Sequence, residues 1–397
     1  MPDLLIELFS EEIPARMQAR AADDLYQRVC DGLREAGLSF GAARAYATPR
    51  RLVLSVTDLA ETSPTTREER RGPRVDAPEK AIEGFLRGAG VSRDDLKVKD
   101  DKKGQVYVVT LVKDGRPAAE IVAEALTETV QSFPWPKSMR WGRGSLKWVR
   151  PLHSILCILT GADGKATIVP VEIEGIVGGD TTEGHRFMAP GRFSVTSFDD
   201  YNAKLAGAHV ILDPEARAAR INDAAQALAD EAGLELVPDP GLLREVAGLV
   251  EWPVALMGEI GAEFLDLPPE VLQSSMREHQ KFFSLSNSQT GRIERFVTVA
   301  NRETADAGAT ILAGNQKVLA ARLADAKFFW ENDLRTVQRE GMKAWRDKLV
   351  DVTFHARLGS QADRVDRIAA LARELAPVTG AKPDLAAEAA RLAKADL

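Results

Sequence analysis

The sequence predicts a multidomain α+β protein, with mixed strands and helices in its N-terminal domains and an all-helical final segment. Three observations predict it. At 397 residues the chain exceeds the ~250–300 residues at which a single core stops growing. Its opening switches between the period of a strand and that of a helix. From Ala309 onward, helical spacing runs almost to the end.

The elements follow in order. Leu4 to Leu8 is a short apolar strand. Ser10 is positioned to cap a helix, Glu11 and Glu12 suit a helix start, and Pro14 suits a first turn. Met17, Ala21, Leu25, Val29 and Leu33 recur every fourth residue and mark one helix face, with Gly37 as its stop. Leu52, Leu54 and Val56 alternate with Val53, Ser55 and Thr57, as in a strand. Residues 61–80 are polar, hold three prolines, and read as a linker carrying Arg67, Arg70, Arg71 and Arg74. A helix near Glu79–Gly88, a strand over Gln105–Val112, a turn at Asp114-Gly115 and a helix over Ala118–Val130 come next.

Strands are expected near Ser154–Leu159 and Thr167–Glu174. Phe198 to Leu249 is mostly helical, broken at Gly233 and at Pro238 to Pro240. A strand over Val254–Met257 precedes a helix opened by Pro268 and Pro269 that runs through Gln280. Phe283–Leu285 and Arg295–Val299 bracket Thr290-Gly291 as a hairpin. Leu312, Asn315, Leu319, Arg322, Leu323, Ala326 and Trp330 then hold helical spacing, and Arg357 to Leu375 repeats it. The last stretch, Asp384 to Leu397, ends without a helix-stop residue, so a fragment of a longer chain is expected. The resulting divisions are 1–62, the strand–helix–strand opening of a core domain; 63–132, a small inserted α/β unit; 133–197, a basic, Trp-rich strand region returning to the core; 198–308, helices and then an α/β hairpin domain; and 309–397, a long helix and the start of a helical domain.

Composition bounds the function. Hydrophobic residues make up 45% and charged residues 28%, values of an ordinary globular protein. The net charge of −7 argues against a nucleic-acid coat protein but leaves room for one basic face. Cys30 and Cys157 are far apart, and no Cys/His cluster suggests zinc or a disulfide framework. No segment approaches the ~18 consecutive apolar residues of a membrane span. The N-terminus turns acidic where a signal peptide needs an apolar run. A reducing cytoplasm is the expected compartment.

The segment FPWPKSMRWGRGSLKWVRPLH, Phe133 to His153, reverses the sign of the chain. It holds Trp135, Trp141 and Trp148 with Lys137, Arg140, Arg143, Lys147 and Arg150, and no acid. Cations interleaved with rings suit phosphates and bases. They equally suit an acidic protein partner, or a core strand with buried tryptophans and solvated cations. Further basic groups are Arg50-Arg51, Arg67 to Arg74, and Lys281 with Arg292 and Arg295. Together they allow one shared phosphate-binding surface.

Familiar catalytic patterns are absent. Gly161 to Thr167 has the wrong spacing for a phosphate loop, and Gly142-Arg143-Gly144 lacks the third glycine of a dinucleotide loop. No GxSxG elbow and no HExxH helix occurs. His153 and His185 are each flanked by a cation, which tends to hold an imidazole neutral. Either could act as a base, but no nucleophile is fixed beside it, and a structural role is the reading taken. Glu11-Glu12 is read as a helix-start feature.

Several stretches together carry a resemblance. LLIELFSEEIPARM, TPRRLVLSV (48–56), RRGP (70–73), PKSMRWG (136–142), VRPLHSI (149–155), EGHRFM (183–188), EVAGLVEWPVAL (245–256), HQKFFSL (279–285), GNQKVLAARLADAKFFWENDL (314–334) and RLGSQADRVDRI (357–368) resemble the β subunit of bacterial tetrameric glycine–tRNA ligase, in that family's order. The resemblance implies an α2β2 assembly that joins glycine to tRNA(Gly) at the expense of ATP, with ATP and Mg used by the α subunit and no cofactor on this chain. It implies that the β subunit holds tRNA and the α subunit, and that the final segment begins an HD-type helical domain.

Neither HIGH-like nor KMSKS-like loops are present. Arg302-Glu303 and Gly142-Arg143-Gly144 do not fit a class II site either, so no catalytic residue is assigned. Alanine at Ala395 stands where an HD pair needs histidine, so that domain is expected to be a scaffold. The residues expected to meet tRNA or partner are Arg50, Arg51, Arg71, Arg74, Lys137, Arg140, Trp141, Arg143, Lys147, Arg150, His185, Arg186 and Lys281. Two rival readings are an α-subunit assembly module with little tRNA binding, and a degenerate HD-type metal hydrolase.

Overall fold

The computed structural model describes residues 1–101 and 104–397. They form a mixed α/β protein, 43% helix and 25% strand, in two compact units. The first comprises Met1–Ala232, Pro238–Leu256 and Thr298–Ala309. The second comprises Gly233–Val237, Met257–Val297 and Thr310–Leu397.

The first unit is built on strand β1 (Asp3–Ser10), buried at every residue but Asp3. Helix α1 (Ala15–Glu35), β2 (Ala43–Thr48) and β3 (Arg51–Val56) follow. After a small inserted sheet come α3 (Ala118–Gln131) and β9 (Leu152–Thr160). Among the described residues the main sheet has seven strands, with β1 antiparallel to both β3 and β9. Such central strands read as near-continuous apolar runs because helices cover both faces. Leu4, Ile6 and Leu8 pack with Leu25, Val29 and Leu33 of α1 and Ile121, Leu126 and Val130 of α3. The alternate residue Leu5 joins Val53, Ile158, Tyr201 and Leu205 on the other face. Each such side chain, once fully buried, contributes about 1.5–3 kcal/mol.

The insertion consists of β4 (Thr66–Arg74), α2 (Glu79–Ala89), β5 (Lys97–Asp101) and β6 (Gly104–Lys113), with β6 central. The stretch expected to be a linker is therefore partly strand. β4 lacks apolar alternation because it is an exposed edge paired only with β6, and its register shifts between Arg71 and Arg74 around Gly72-Pro73. Edges and bulges are where sheets accept Pro and charge.

The remaining elements of this unit are β7 (Met139–Arg140), β8 (Lys147–Trp148), β10 (Ala166–Ile168), β11 (Glu172–Ile173), β12 (Ile176–Gly179), β13 (Thr181–Glu183), β14 (Arg192–Ser194), α4 (Phe198–Gly207), α5 (Pro214–Glu231) and α6 (Pro240–Ala247). The strand expected over 167–174 is split at Val169–Val171, where Pro170 withholds a donor. Ser10 does not cap α1. Its hydroxyl donates to the Glu11 carbonyl, and Pro14 is the N-cap. Fully buried Arg217 ties α5 to its surroundings. Its guanidinium donates to the carbonyls of Ala47, Ile211, Leu212 and Ala247 at 2.7–3.0 Å. Burial pulls its pKa down to about 10.

The second unit holds β15 (Glu235–Leu236), β17 (Phe283–Ser286) and the 257–259 and 293–297 parts of β16 (Val254–Glu259) and β18 (Ile293–Ala300), in the order β15-β17-β18-β16. The expected hairpin is β17–β18, turning at Gly291 with φ +70°. Phe282 stacks on Phe296 at 4.6 Å. A Cβ on Gly258 would lie 2.3 Å from the Phe296 ring, so only glycine fits there. Helix α7 (Pro269–Ser275) continues as a π-helical turn, Met276–Gln280.

Helix α8 (Ala309–Glu340) buries Leu319 and Leu323 but leaves Phe328 62%, Phe329 64% and Trp330 39% exposed. The final stretch contains α9 (Lys343–Lys348), β19 (Thr353–His355), β20 (Gly359–Ser360), α10 (Gln361–Leu375) and α11 (Pro383–Leu392). It is not all-helical, because β19 and β20 pair as a hairpin. Gly359, at φ +87°, makes that turn. Ser360 and Asp363 then form a capping box that starts α10 four residues later than its apolar pattern suggests.

Candidate functional site

The basic segment folds into a small hairpin at the end of α3. Pro134 and Pro136 keep the chain extended after the helix. Phe133, Trp135 and Trp148 then meet at centroid distances of 4.8–5.0 Å. Trp148 is 1% exposed, and Trp135 and Trp141 pack partly buried against the main core. The Trp141 Nε1–H donates to the Trp148 carbonyl at 2.9 Å. The Trp148 ring thus looks inward and has no surface for an RNA base.

The cations look outward. Strands β7 and β8 pair Met139 with Trp148 and Arg140 with Lys147. This sets two like charges side by side, an arrangement that is unfavourable without an anion between them. The tip is tied down by Glu174, whose carboxylate accepts from the Ser145 N–H at 3.0 Å and from its hydroxyl at 2.5 Å. These bonds hold the Glu174 carboxyl below its usual range. Lys137, Arg140, Arg143 and Lys147 are exposed and Arg150 is half-buried. Among the described residues, none of the five has a carboxylate partner. Arg150 donates only to the Val149 carbonyl, at 2.9 Å. Exposed arginines elsewhere are often paired, as Arg44, Arg93 and Arg116 are.

The other expected contact residues are placed differently. Arg51 is fully buried, bonded to Glu7 at 3.1 Å and also to Glu251 and the Glu183 carbonyl. Thr182 and Tyr201 donate to the same Glu7 oxygen at 2.9 and 2.5 Å, and Thr48 donates to Glu251 at 2.7 Å. Burial raises the Glu7 pKa despite Arg51 and these hydroxyls. Burial pushes Glu251 the same way, but Arg51 and Thr48 more than offset it and the net shift is downward. Arg50 is 8% exposed and lies over the Phe9 ring at 4.5 Å.

His185 is fully buried. Its Nδ1 accepts from the backbone N–H groups of Phe187 and Met188 at 3.3 Å, a turn-building role. Neither Arg51 nor His185 offers any surface to a phosphate. Arg186 bonds Glu11 at 2.7 Å and Glu12 at 2.6 Å, and His153 bonds Glu11 at 3.1 Å. Burial acts to raise the Glu11 pKa, but His153 and Arg186 outweigh it and hold the carboxyl below its usual range. The Glu11-Glu12 pair therefore serves these contacts and not the helix start. Arg71 and Arg74 lie on β4, Arg74 paired with Asp76 at 3.1 Å. Lys281, in the second unit, has a left-handed backbone at φ 58°.

Sequence reasoning missed Glu7, Glu251 and Glu174. Glu7 left a signal, as a lone acid inside an apolar strand, but its partner Glu251 is far away along the chain. Among the described residues no group of three His, Cys, Asp or Glu is placed to hold a metal. No helix there is long and apolar enough to cross a membrane.

Comparison with known proteins gives the class first: an aminoacyl-tRNA ligase subunit. Residues 4–397 match the family model described as Glycyl-tRNA synthetase beta subunit, and the chain belongs to that family. It is 67% identical over 398 residues to the glycine–tRNA ligase beta subunit of Ruegeria sp. (strain TM1040). It is 66% identical over 397 residues to that of Cereibacter sphaeroides (strain ATCC 17029 / ATH 2.4.9), and 50% over 402 residues to that of Phenylobacterium zucineum (strain HLK1). All of this chain is covered in each case. It spans 58%, 57% and 58% of those relatives' lengths.

Proposed function

We propose that this chain serves glycine–tRNA ligase by holding tRNA(Gly), with the hairpin cations Arg140, Arg143, Lys147 and Arg150 as its phosphate contacts. The supporting observation is that these cations are uncommitted, while arginines such as Arg51 and Arg217 are consumed inside the fold. Phosphate contacts of this kind position RNA without reading its sequence. The rigid aromatic base under the hairpin lowers the entropy lost when its side chains engage. Activation of glycine with ATP and Mg belongs, in this reading, to the α subunit of a cytoplasmic α2β2 assembly. The helices after β20 act as an HD-type scaffold, with Ala395 at the position where a metal-binding histidine would stand.

A second reading, an α-subunit docking module, is favoured by one observation: Phe328, Phe329 and Trp330 are exposed together on α8. Exposed aromatic clusters mark protein interfaces. Separate size-exclusion runs with tRNA(Gly) and with α subunit decide between them. Co-elution with tRNA, lost in Arg140→Glu/Lys147→Glu, supports the first reading. Co-elution with α subunit alone, lost in Phe328→Ser/Phe329→Ser, replaces it with the second.

A further inference from the structure

A cleft of about 450 Å³ lies between α1 and the Phe133–Lys137 segment. That volume is within the roughly 300–1,000 Å³ range of small-ligand pockets. Its apolar wall is Met17, Phe133, Pro134, Trp135 and Pro136. Arg16, Arg20 and Lys137 supply cations, and Asp24 is the one lining acid. Arg20 partly neutralises Asp24 at 3.7 Å. Arg16 and Lys137 are exposed and have no carboxylate partner among the described residues. The cleft therefore presents an aromatic, apolar wall beside two free positive charges, one on the first turn of a 21-residue helix whose positive dipole end adds to the field.

We infer that this cleft is a nucleotide site, taking a nucleoside 5′-monophosphate with its base against Trp135 and the flanking prolines and its phosphate on Arg16 and Lys137. A base supplies the flat apolar surface that the wall matches. The phosphate supplies the anion that the two cations lack. The same chemistry is offered by a free nucleotide and by the unpaired 3′ end of an RNA. The inference deepens the RNA-holding reading by adding a terminal pocket to a backbone surface.

The test uses the whole chain, with AMP as the probe, followed by calorimetry and by saturation-transfer NMR. The wild type is expected to bind AMP, and Arg16→Ser/Lys137→Ser to bind it about tenfold or more weakly, the scale of lost charge-assisted hydrogen bonds. Its melting temperature should not change, since neither side chain has a partner to lose. A short RNA with an unpaired 3′ adenosine that displaces AMP identifies an RNA end as the occupant. AMP bound but not displaced identifies a free nucleotide. Absence of AMP binding at millimolar concentration, or equal binding by the double variant, overturns the inference. If tRNA(Gly) still binds in that case, the RNA-holding reading stands without the pocket.

Discussion

Arg51 illustrates how one residue's meaning depends on partners that sequence does not place beside it. In TPRRLVLSV it reads as half of a basic pair, yet it sits wholly buried between Glu7 and Glu251. A buried ion pair broken on one side costs about 3–5 kcal/mol, because the remaining charge has no water. Arg51→Met should therefore lower the free energy of unfolding by that amount, and a change under about 1 kcal/mol would contradict the role. The two acids should answer pH in opposite senses. Glu7, with its folded pKa raised, contributes stability that is full below the ordinary Glu value and lost as pH rises through the folded one. Glu251, with its pKa lowered, contributes stability present above the ordinary value and lost as pH falls through the folded one. Glu7→Gln should consequently lose less melting temperature than wild type between pH 5 and pH 8. Parallel melting curves across that interval would show that Glu7 does not titrate there.

The hairpin of β7 and β8 is held as an element by three ties: the Trp148 side chain in the core, the Trp141 indole bond, and the Glu174 carboxylate at its tip. Only the last is open to solvent, so it governs how firmly the cations are presented. Ser145→Ala removes the hydroxyl donor, and exchange of the Ser145 amide with deuterium should quicken while exchange in β9 stays as it was. Unaltered exchange at Ser145 would mean that Glu174 is not the clamp. Because the Glu174 carboxyl is held low by these bonds, the clamp is present above the ordinary Glu value and opens as pH falls through the lowered one.

Elements also differ in how legible they are. β1 and α1 are plain in the sequence because their apolar periods are strong and local. β4 is hidden, since TREERRGPR has no apolar face and becomes a strand only through pairing with β6, distant in sequence. The β19–β20 hairpin is hidden for the same reason, its pairs being short and its flanks helical. At the candidate site the cations were legible by charge alone, whereas the burial of Trp148 depends on Phe133, which the pattern did not single out.

At the scale of the whole molecule, charge is segregated. The chain carries −7 overall, yet the β7–β8 hairpin and its flanks hold Lys137, Arg140, Arg143 and Lys147 exposed and with no acid among them. At physiological salt the Debye length is about 8 Å, so a polyanion at the hairpin feels the local cations and little of the acidic body. Near 0.01 M salt the length grows to about 30 Å, and the body's repulsion enters. Binding of tRNA(Gly) should therefore weaken with rising salt across the physiological range, with a log–log slope of roughly −0.7 to −0.9 for each phosphate contact. It should flatten at the lowest salt, where a uniformly basic protein would keep tightening. Arg140→Glu/Lys147→Glu should make the physiological-range slope shallower by about two contacts' worth, because both side chains project from an element whose fold does not need their charge. A slope in the double variant equal to that of the wild type would place the phosphate contacts elsewhere on the chain. A wild-type affinity that keeps tightening to the lowest salt would show that the acidic body does not reach the RNA.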